Sequence, residues 1–371
     1  MKTIYTLLLF AFMALFHVRV DAAVITVSNV TSRPAQHSSL QAAIDAASPG
    51  DTLLITGGGG NYGSVTMVKT LVLIGEGIRN TEVVIDFLYL RKYSPIMGSD
   101  SSRFYGLNMY QVNFNGDFTG AAVGQRSMNN FIFERCVVRE WANLNEGQGT
   151  IRDITFRHCL FQGGLLIKFD VNNVLLTNCV FNGAAIATGD CSGGGTFNSE
   201  VVVSNSIFLN RTSSIFYNIH YWCYGSGQIR GLVLENNIFY RSEPTGCFDC
   251  YWYNNLTYAN TQVSALPPPG HGGTGSGNLE NVDPLFNNFP FSFSNPNTSF
   301  SWDHNYGLQT GSPALGTGTN GTNIGLWGGL YAVTQLPSEP KTPAVTELSI
   351  PVSTVPVGGT LQINLRAVSR D

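Results

Sequence analysis

A chain of 371 residues with 41 glycines, 12% charged residues and a net charge of −4 lacks the basic footprint of a nucleic-acid binder, and no basic stretch interleaved with aromatics occurs in it. Residues 1–22 read as an export signal: Lys2, an apolar run from Ile4 to Phe16, then Val20-Asp21-Ala22 as a cleavage site of the small-x-small type. That run is too short to span a bilayer, and no later segment reaches spanning length without charges or turn residues. The expected product is an exported monomer, in the medium, the periplasm or at the cell surface, with no membrane span.

Ser38 to Ala47 reads as an amphipathic helix, with Leu40, Ala43, Ile44 and Ala47 on one face, Ser38 and Gln41 as a capping box, and Pro49-Gly50 as the stop. Thr52 to Thr56, Leu71 to Glu76 and Thr81 to Asp86 follow as strands. A lone helix ahead of strands suits the cap of a stacked coil, whose first turn exposes an apolar end. Gly57 to Gly60 lacks the Lys-Ser/Thr of a phosphate loop and no helix follows it, so it reads as a turn. Arg103 to Asn115 opens the regular part.

A short phrase then recurs: Phe131 to Val138 (FIFERCVV), Ile154 to Phe161 (ITFRHCLF), Val174 to Phe181 (VLLTNCVF), Val201 to Phe208 (VVVSNSIF) and Leu232 to Phe239 (LVLENNIF). Large apolar residues stand at its first, third and eighth places, which is strand alternation. Recurrence every two to three dozen residues marks a solenoid, in which turns stack because no single turn can bury its apolar side. Like residues then form inward ladders: Phe131, Ile154, Val174, Val201 and Leu232 in one, Phe133, Phe156, Leu176, Val203 and Leu234 in the next. Arg135, His158, Asn178, Asn205 and Asn236 fall at a corner. Cys136, Cys159 and Cys179 fall in a ladder as buried thiols, whereas Cys191, Cys223, Cys247 and Cys250 fall in loops, able to form two bridges of undetermined pairing. Second strands are expected at Ala121 to Gly124, Leu165 to Phe169, Ala184 to Ala187 and Ser214 to Ile219, with the most variable loops after them. The alternative architecture is a β-sandwich, which does not repeat one phrase in register.

Pro267 to Gly277, with His271 inside, reads as a long irregular loop, a lid or a surface excursion. Gly311 to Gly328 reads as the closing coils. Leu336 to Pro343 is a Pro-rich linker, and Val345 to Ile350 with Thr360 to Leu365 a hairpin too small to fold alone. The expected division is residues 1–22 as signal, 23–333 as solenoid and 334–371 as linker and hairpin tail.

Ser39 to Asp51 with the strand behind it, Asn61-Tyr62-Gly63, Leu71 to Gly75, Asp283-Pro284-Leu285-Phe286, Gly311 to Gly316 and Asn323-Ile324-Gly325 resemble the opening and closing of secreted right-handed parallel β-helix proteins of the pectate-lyase-like class. The resemblance covers roughly Val24 to Gly329 and is specific for fold, not activity. It implies an all-β fold: a right-handed parallel β-helix with an N-terminal capping helix and a small C-terminal hairpin. Such families include polysaccharide lyases, glycosidases, esterases and chains without known activity. Their sites lie on one strand face and its loops.

On this chain that face is the variable second-strand side. It carries Lys168, Asp170, Asp190 and His220 as candidate catalytic residues, with Tyr217, Tyr221 and Trp222 as candidate sugar-stacking residues. A lyase needs a base beside a uronate carboxylate and a cation to neutralise that carboxylate: Lys168 or His220 as base, Asp170 or Asp190 as ligands for Ca²⁺. A glycosidase needs two carboxylates, Asp170 and Asp190. No adjacent Asp pair, Ser-His-Asp triad or metal-spaced His cluster is legible. Tyr251, Trp252 and Tyr253 form a further aromatic run. Three readings follow: an enzyme acting on an acidic polysaccharide (lyase or hydrolase), a non-catalytic carbohydrate-binding protein, and a structural or adhesin-like β-helix. A basic cleft around Lys168 favours the first, a line of exposed aromatics the second, a smooth surface the third.

Overall fold

In the computed structural model the described residues are 22–79, 82–94, 97–116, 127–144, 150–167, 171–188, 200–218, 229–290, 300–332, 344–349 and 364–368. The chain folds into a right-handed parallel β-helix. One coil illustrates the rest: a strand Thr150–Arg157, a corner at His158, a short strand Leu160–Phe161, a bend, and a third strand Gly164–Ile167. Stacking the first strands builds an 11-stranded parallel sheet from Val24–Val27 to Thr274–Ser276. The second and third strands share one 14-stranded sheet, because the long strand Asn108–Gly116 pairs with both Val137–Val138 and Trp141–Leu144. Each regular coil thus has three strand sides.

The register is that of the repeated phrase. Phe131, Ile154, Val174 and Val201 pair in succession, as do Phe133, Phe156, Leu176, Val203 and Leu234. All are buried in one continuous core. Rings stack with the rungs, Phe104–Phe133–Phe156 on the first side and Phe161–Phe181–Phe208–Phe239 after the corner, with centroids 4.4–4.9 Å apart. The corner residues Arg135, His158, Asn178, Asn205 and Asn236 all have φ between 48° and 56°. Only residues tolerant of the left-handed region hold so sharp a turn, and Asn does so most readily.

Behind the corner the thiols of Cys136, Cys159 and Cys179 are buried and reduced, each pointing to a carbonyl of the preceding coil. Burial pushes the Cys136 and Cys159 thiols well up. The column then turns polar: Ser206 N–H donates to Asn237 Oδ1, Asn237 N–H to Asn255 Oδ1 and Asn255 N–H to Asn278 Oδ1, at 2.9–3.0 Å. Each asparagine amide donates in turn to a carbonyl of the preceding rung, Val203, Leu234 and Trp252.

The cap forms as Leu40–Ala46, with Leu40, Ala43 and Ile44 buried. Its N-cap is Ser39, whose hydroxyl accepts from Ala42 N–H, and not Ser38. Gln41 makes no capping box; its amide pairs with the backbone N–H and carbonyl of Thr66 and ties the helix to the strand Val65–Met67.

Gly311 to Tyr331 does not form closing coils. It runs back along the corner as a strap: Thr319 N–H on Asn236 Oδ1, Asn205 Nδ2 on Asn323 O, Asn178 Nδ2 on Leu326 O and Gly328 O, His158 on Tyr331 O. Under it lies an apolar column that faces outward, Val137, Leu160, Val180, Ile207, Ile238 and Leu256, sealed by Ile324 and Leu326 together with Phe286 and Tyr306. The tail strands Ala344–Ser349 and Asn364–Val368 pair antiparallel with each other. No described helix is long and apolar enough to cross a membrane. The signal segment lies outside the described residues.

Of the four cysteines expected to be able to form bridges, Cys247 and Cys250 are joined to each other, with Cα atoms 5.9 Å apart, and both are buried. Cys250 opens a further turn of the phrase, Cys250-Tyr251-Trp252-Tyr253-Asn254-Asn255-Leu256-Thr257, in which Trp252 pairs with Leu234. Cys191 and Cys223 lie outside the described residues.

Candidate functional site

The third strands stack in register as Val84–Ser94, Asn108–Gly116, Trp141–Leu144, Gly164–Ile167, Ala185–Thr188 and Phe216–Asn218. Leu88, Val112, Ala142, Leu165, Ile186 and Phe216 point into the core. Alternation therefore turns the intervening residues outward. The column on the side away from the core is Tyr89, Asn113, Asn143, Leu166, Ala187 and Tyr217, paired rung by rung; Tyr89, Leu166 and Tyr217 are half-buried, and Asn113, Asn143 and Ala187 are buried. Its five steps span about 24 Å at the usual strand spacing. Beside it Phe87 pairs with Gln111, and Trp141 with Gly164. A Cβ on Gly164 would lie 2.9 Å from the indole of Trp141 and 2.2 Å from Ala185 O, so glycine lets the ring lie flat on the next rung.

The side chains of this face are held by one another. Phe87 and Tyr89 stack with centroids 6.0 Å apart, and the Arg91 guanidinium lies 5.6 Å from the Tyr89 ring centre while donating to Tyr93 Oη. Asn143 Nδ2 donates to Asn113 Oδ1 at 2.6 Å, and both amides are buried. Gln111 Nε2 donates to Glu140 Oε2 at 2.6 Å. At the far end the Arg211 guanidinium covers Tyr217 at 5.2 Å and is fixed by Ser214 O and Gly183 O. The result is a row of rings interleaved with amides and bordered by guanidinium groups on rigid strands.

Of the residues singled out from sequence, Tyr217 is on this face. Lys168, Asp170, Asp190, His220, Tyr221 and Trp222 lie outside the described residues. The strands that lead into them end together: Ile167 pairs with Thr188, and Thr188 with Asn218. Lys168 and Asp170 follow the first of these strands in the chain, Asp190 the second, His220 with Tyr221 and Trp222 the third. Phe87, Tyr89, Gln111, Asn113, Trp141 and Asn143 are not legible from the repeat in the sequence, because the repeated phrase ends at the second strand and leaves the third without a periodic mark. The signal available was the alternation Phe87, Tyr89, Arg91, Tyr93 against Leu88 and Leu90.

The aromatic run of the later coil is divided. Trp252 is buried, edge-on to Phe216 with centroids 6.0 Å apart, and so cannot stack on a sugar. Tyr251 and Tyr253 face outward on the first side, away from Tyr217. His271 in the Pro-Gly loop accepts from Gly246 N–H on one ring nitrogen and contacts Pro269 O with the other, so it stitches the loop down. Among the described residues no group of three or more His, Cys, Asp or Glu is placed to hold a metal ion.

No protein-family model matches the chain, and no curated protein matches it. Among solved structures it is similar to an alginate lyase from Paenibacillus sp. str. FPU-7, at 13% identity and a TM-score of 0.39, over 69% of this chain and 95% of that one. It is also similar to a pectin methylesterase from Aspergillus niger, at 13% identity and a TM-score of 0.32, over 66% of this chain and 92% of that one. Likeness this distant transfers no activity.

Proposed function

We propose that this chain is an exported protein that binds an acidic polysaccharide along the third side of its β-helix. The observation that carries the reading is the in-register outward row from Tyr89 to Tyr217, with Phe87 and Trp141 beside it. Ring faces stack on the C–H faces of pyranose rings, the buried Asn113–Asn143 pair braces the strands beneath them, and a row along the stack suits a polymer better than a small molecule. Arg91 and Arg211 supply positive charge for uronate groups at the two ends. The carboxylate of this face, Glu140, is engaged by Gln111. Cleavage therefore falls to Lys168, Asp170, Asp190 and His220 in the adjoining loops, with Ca²⁺ as the candidate metal; without it the chain is a carbohydrate-binding protein.

Incubation with a panel of acidic polysaccharides, with and without Ca²⁺, followed by assays for unsaturated products, reducing ends and retained polymer, separates these outcomes. Under cleavage, Lys168→Ala and Asp170→Ala each lower activity by orders of magnitude with unchanged melting curves. Under binding alone, Trp222→Ala weakens retention most and Tyr217→Ala also weakens it. Retention of no acidic polymer contradicts the reading.

A further inference from the structure

Tyr251 and Tyr253 stand on a different side of the coil from the face just described. They are 44% and 37% exposed, at the two outward positions of the strand Tyr251–Tyr253. Two residues along a strand set them about 7 Å apart on the same surface. Their backbone is fixed on every side. The strand Tyr251–Tyr253 pairs with Val233–Glu235 before it and Thr274–Ser276 after it. Trp252 anchors it in the core, the Cys247–Cys250 disulfide closes the turn before it, and Asn255 of the asparagine ladder holds the turn after it. The next rung offers Thr274, Gly275 and Ser276, all exposed, so no large side chain overhangs the rings on that side and two hydroxyls border them.

We propose that Tyr251 and Tyr253 form a second glycan platform, which takes a neutral polysaccharide chain. The partner class follows from size, charge and chemistry. Two tyrosine rings offer at most a few hundred Å², whereas a stable protein interface needs roughly 800 Å² per partner. The patch offers no cation for a uronate: its neighbours are Val233, Thr274 and Ser276, the Glu235 carboxylate beside Tyr253 is itself an anion held by the Thr319 hydroxyl of the strap, and the Arg230 guanidinium is paired with Asp249. Nothing there attracts a uronate, while flat rings edged by hydroxyls match a neutral pyranose chain. Rigid strands mean that little side-chain freedom is lost on binding. The platform is independent of the third-side row, and its occupancy does not require that row to function.

Affinity electrophoresis of the full chain tests it, in gels containing hydroxyethylcellulose, galactomannan or arabinoxylan. The wild type is expected to be retarded in at least one of these neutral gels. The double variant Tyr251→Ala/Tyr253→Ala should lose at least tenfold in affinity there, and Tyr251→Phe/Tyr253→Phe should keep most of it because stacking needs the ring and not the hydroxyl. Both positions are exposed, so melting temperatures should match and exclude unfolding as the cause. Absence of retardation in all three neutral gels overturns the proposal, as does an alanine double variant that migrates like the wild type. Polygalacturonate gels run with Tyr217→Ala report on the third side alone, so the failure of one reading is distinguishable from the failure of the other.

Discussion

Glu134 stands at the end of a first-side strand, in register with Tyr105 and Arg157. Arg157 Nε and Nη2 donate to its Oε2 at 2.8 and 2.5 Å, and His158 Nδ1 lies 3.9 Å from its Oε1. Burial pushes the carboxyl up, but His158 and Arg157 pull it down more strongly, to about 2. A depressed carboxylate adds stability above its ordinary value near 4.5 and loses it as pH falls from there toward 2. The contribution is about 3 kcal/mol. The melting temperature should therefore fall between about pH 4.5 and pH 2, and Glu134→Gln should be less stable at neutral pH and flatter across that window; an identical pH profile in the variant would contradict this. The corner itself was legible at this scale, since five residues in one column of a repeated phrase announce a shared backbone angle. Trp252 was not: it was grouped by chemical type with Tyr251 and Tyr253, although Asn254-Asn255 repeats Asn236-Asn237 and so aligns the indole with inward Leu234.

At the scale of elements, the capping helix could be read from its apolar spacing, and only its N-cap moved by one residue. Ile44 is fully buried between helix and first coil. Ile44→Asp places a charge there without a partner and should cost about 3 kcal/mol or more, seen as a lower midpoint in denaturant; an unchanged midpoint would remove the helix's capping role. The strap was not foreseen. Its sign in the sequence is the seventh place of the phrase, Val137, Leu160, Val180, Ile207 and Ile238, where a solvent-facing position would be polar. Five apolar residues in an outward column require a cover, and the glycine-rich segment supplies one because its backbone must press close. Gly325 has φ of 87°, and a Cβ there would lie 2.7 Å from Ile238 Cδ1. Gly325→Ala should destabilise by about 1–3 kcal/mol and increase proteolysis near the strap, whereas Gly311→Ala, with open space around its Cβ, tests the backbone angle alone.

The whole molecule is a rod whose 11-stranded first side extends about 48 Å at the usual strand spacing. Stacking makes neighbours of residues tens of positions apart, which is why architecture could be read from a phrase while the site could be read only as a side of the coil. The phrase marks the conserved geometry of the first and second strands. The third strand and its loops vary from turn to turn, so chemistry placed there leaves no periodic trace. Tyr89 and Tyr217 become members of one row only when six strands are laid in register. Hydrogen–deuterium exchange of the full chain, with and without a saturating amount of the acidic polysaccharide it retains best, tests that row most directly. The account predicts slower exchange in peptides covering Val84–Ser94, Asn108–Gly116, Trp141–Leu144 and Phe216–Asn218, with the first-side strands Val174 to Thr177 and Val201–Ser204 unchanged; protection confined to the first side, or none on the third, would contradict it.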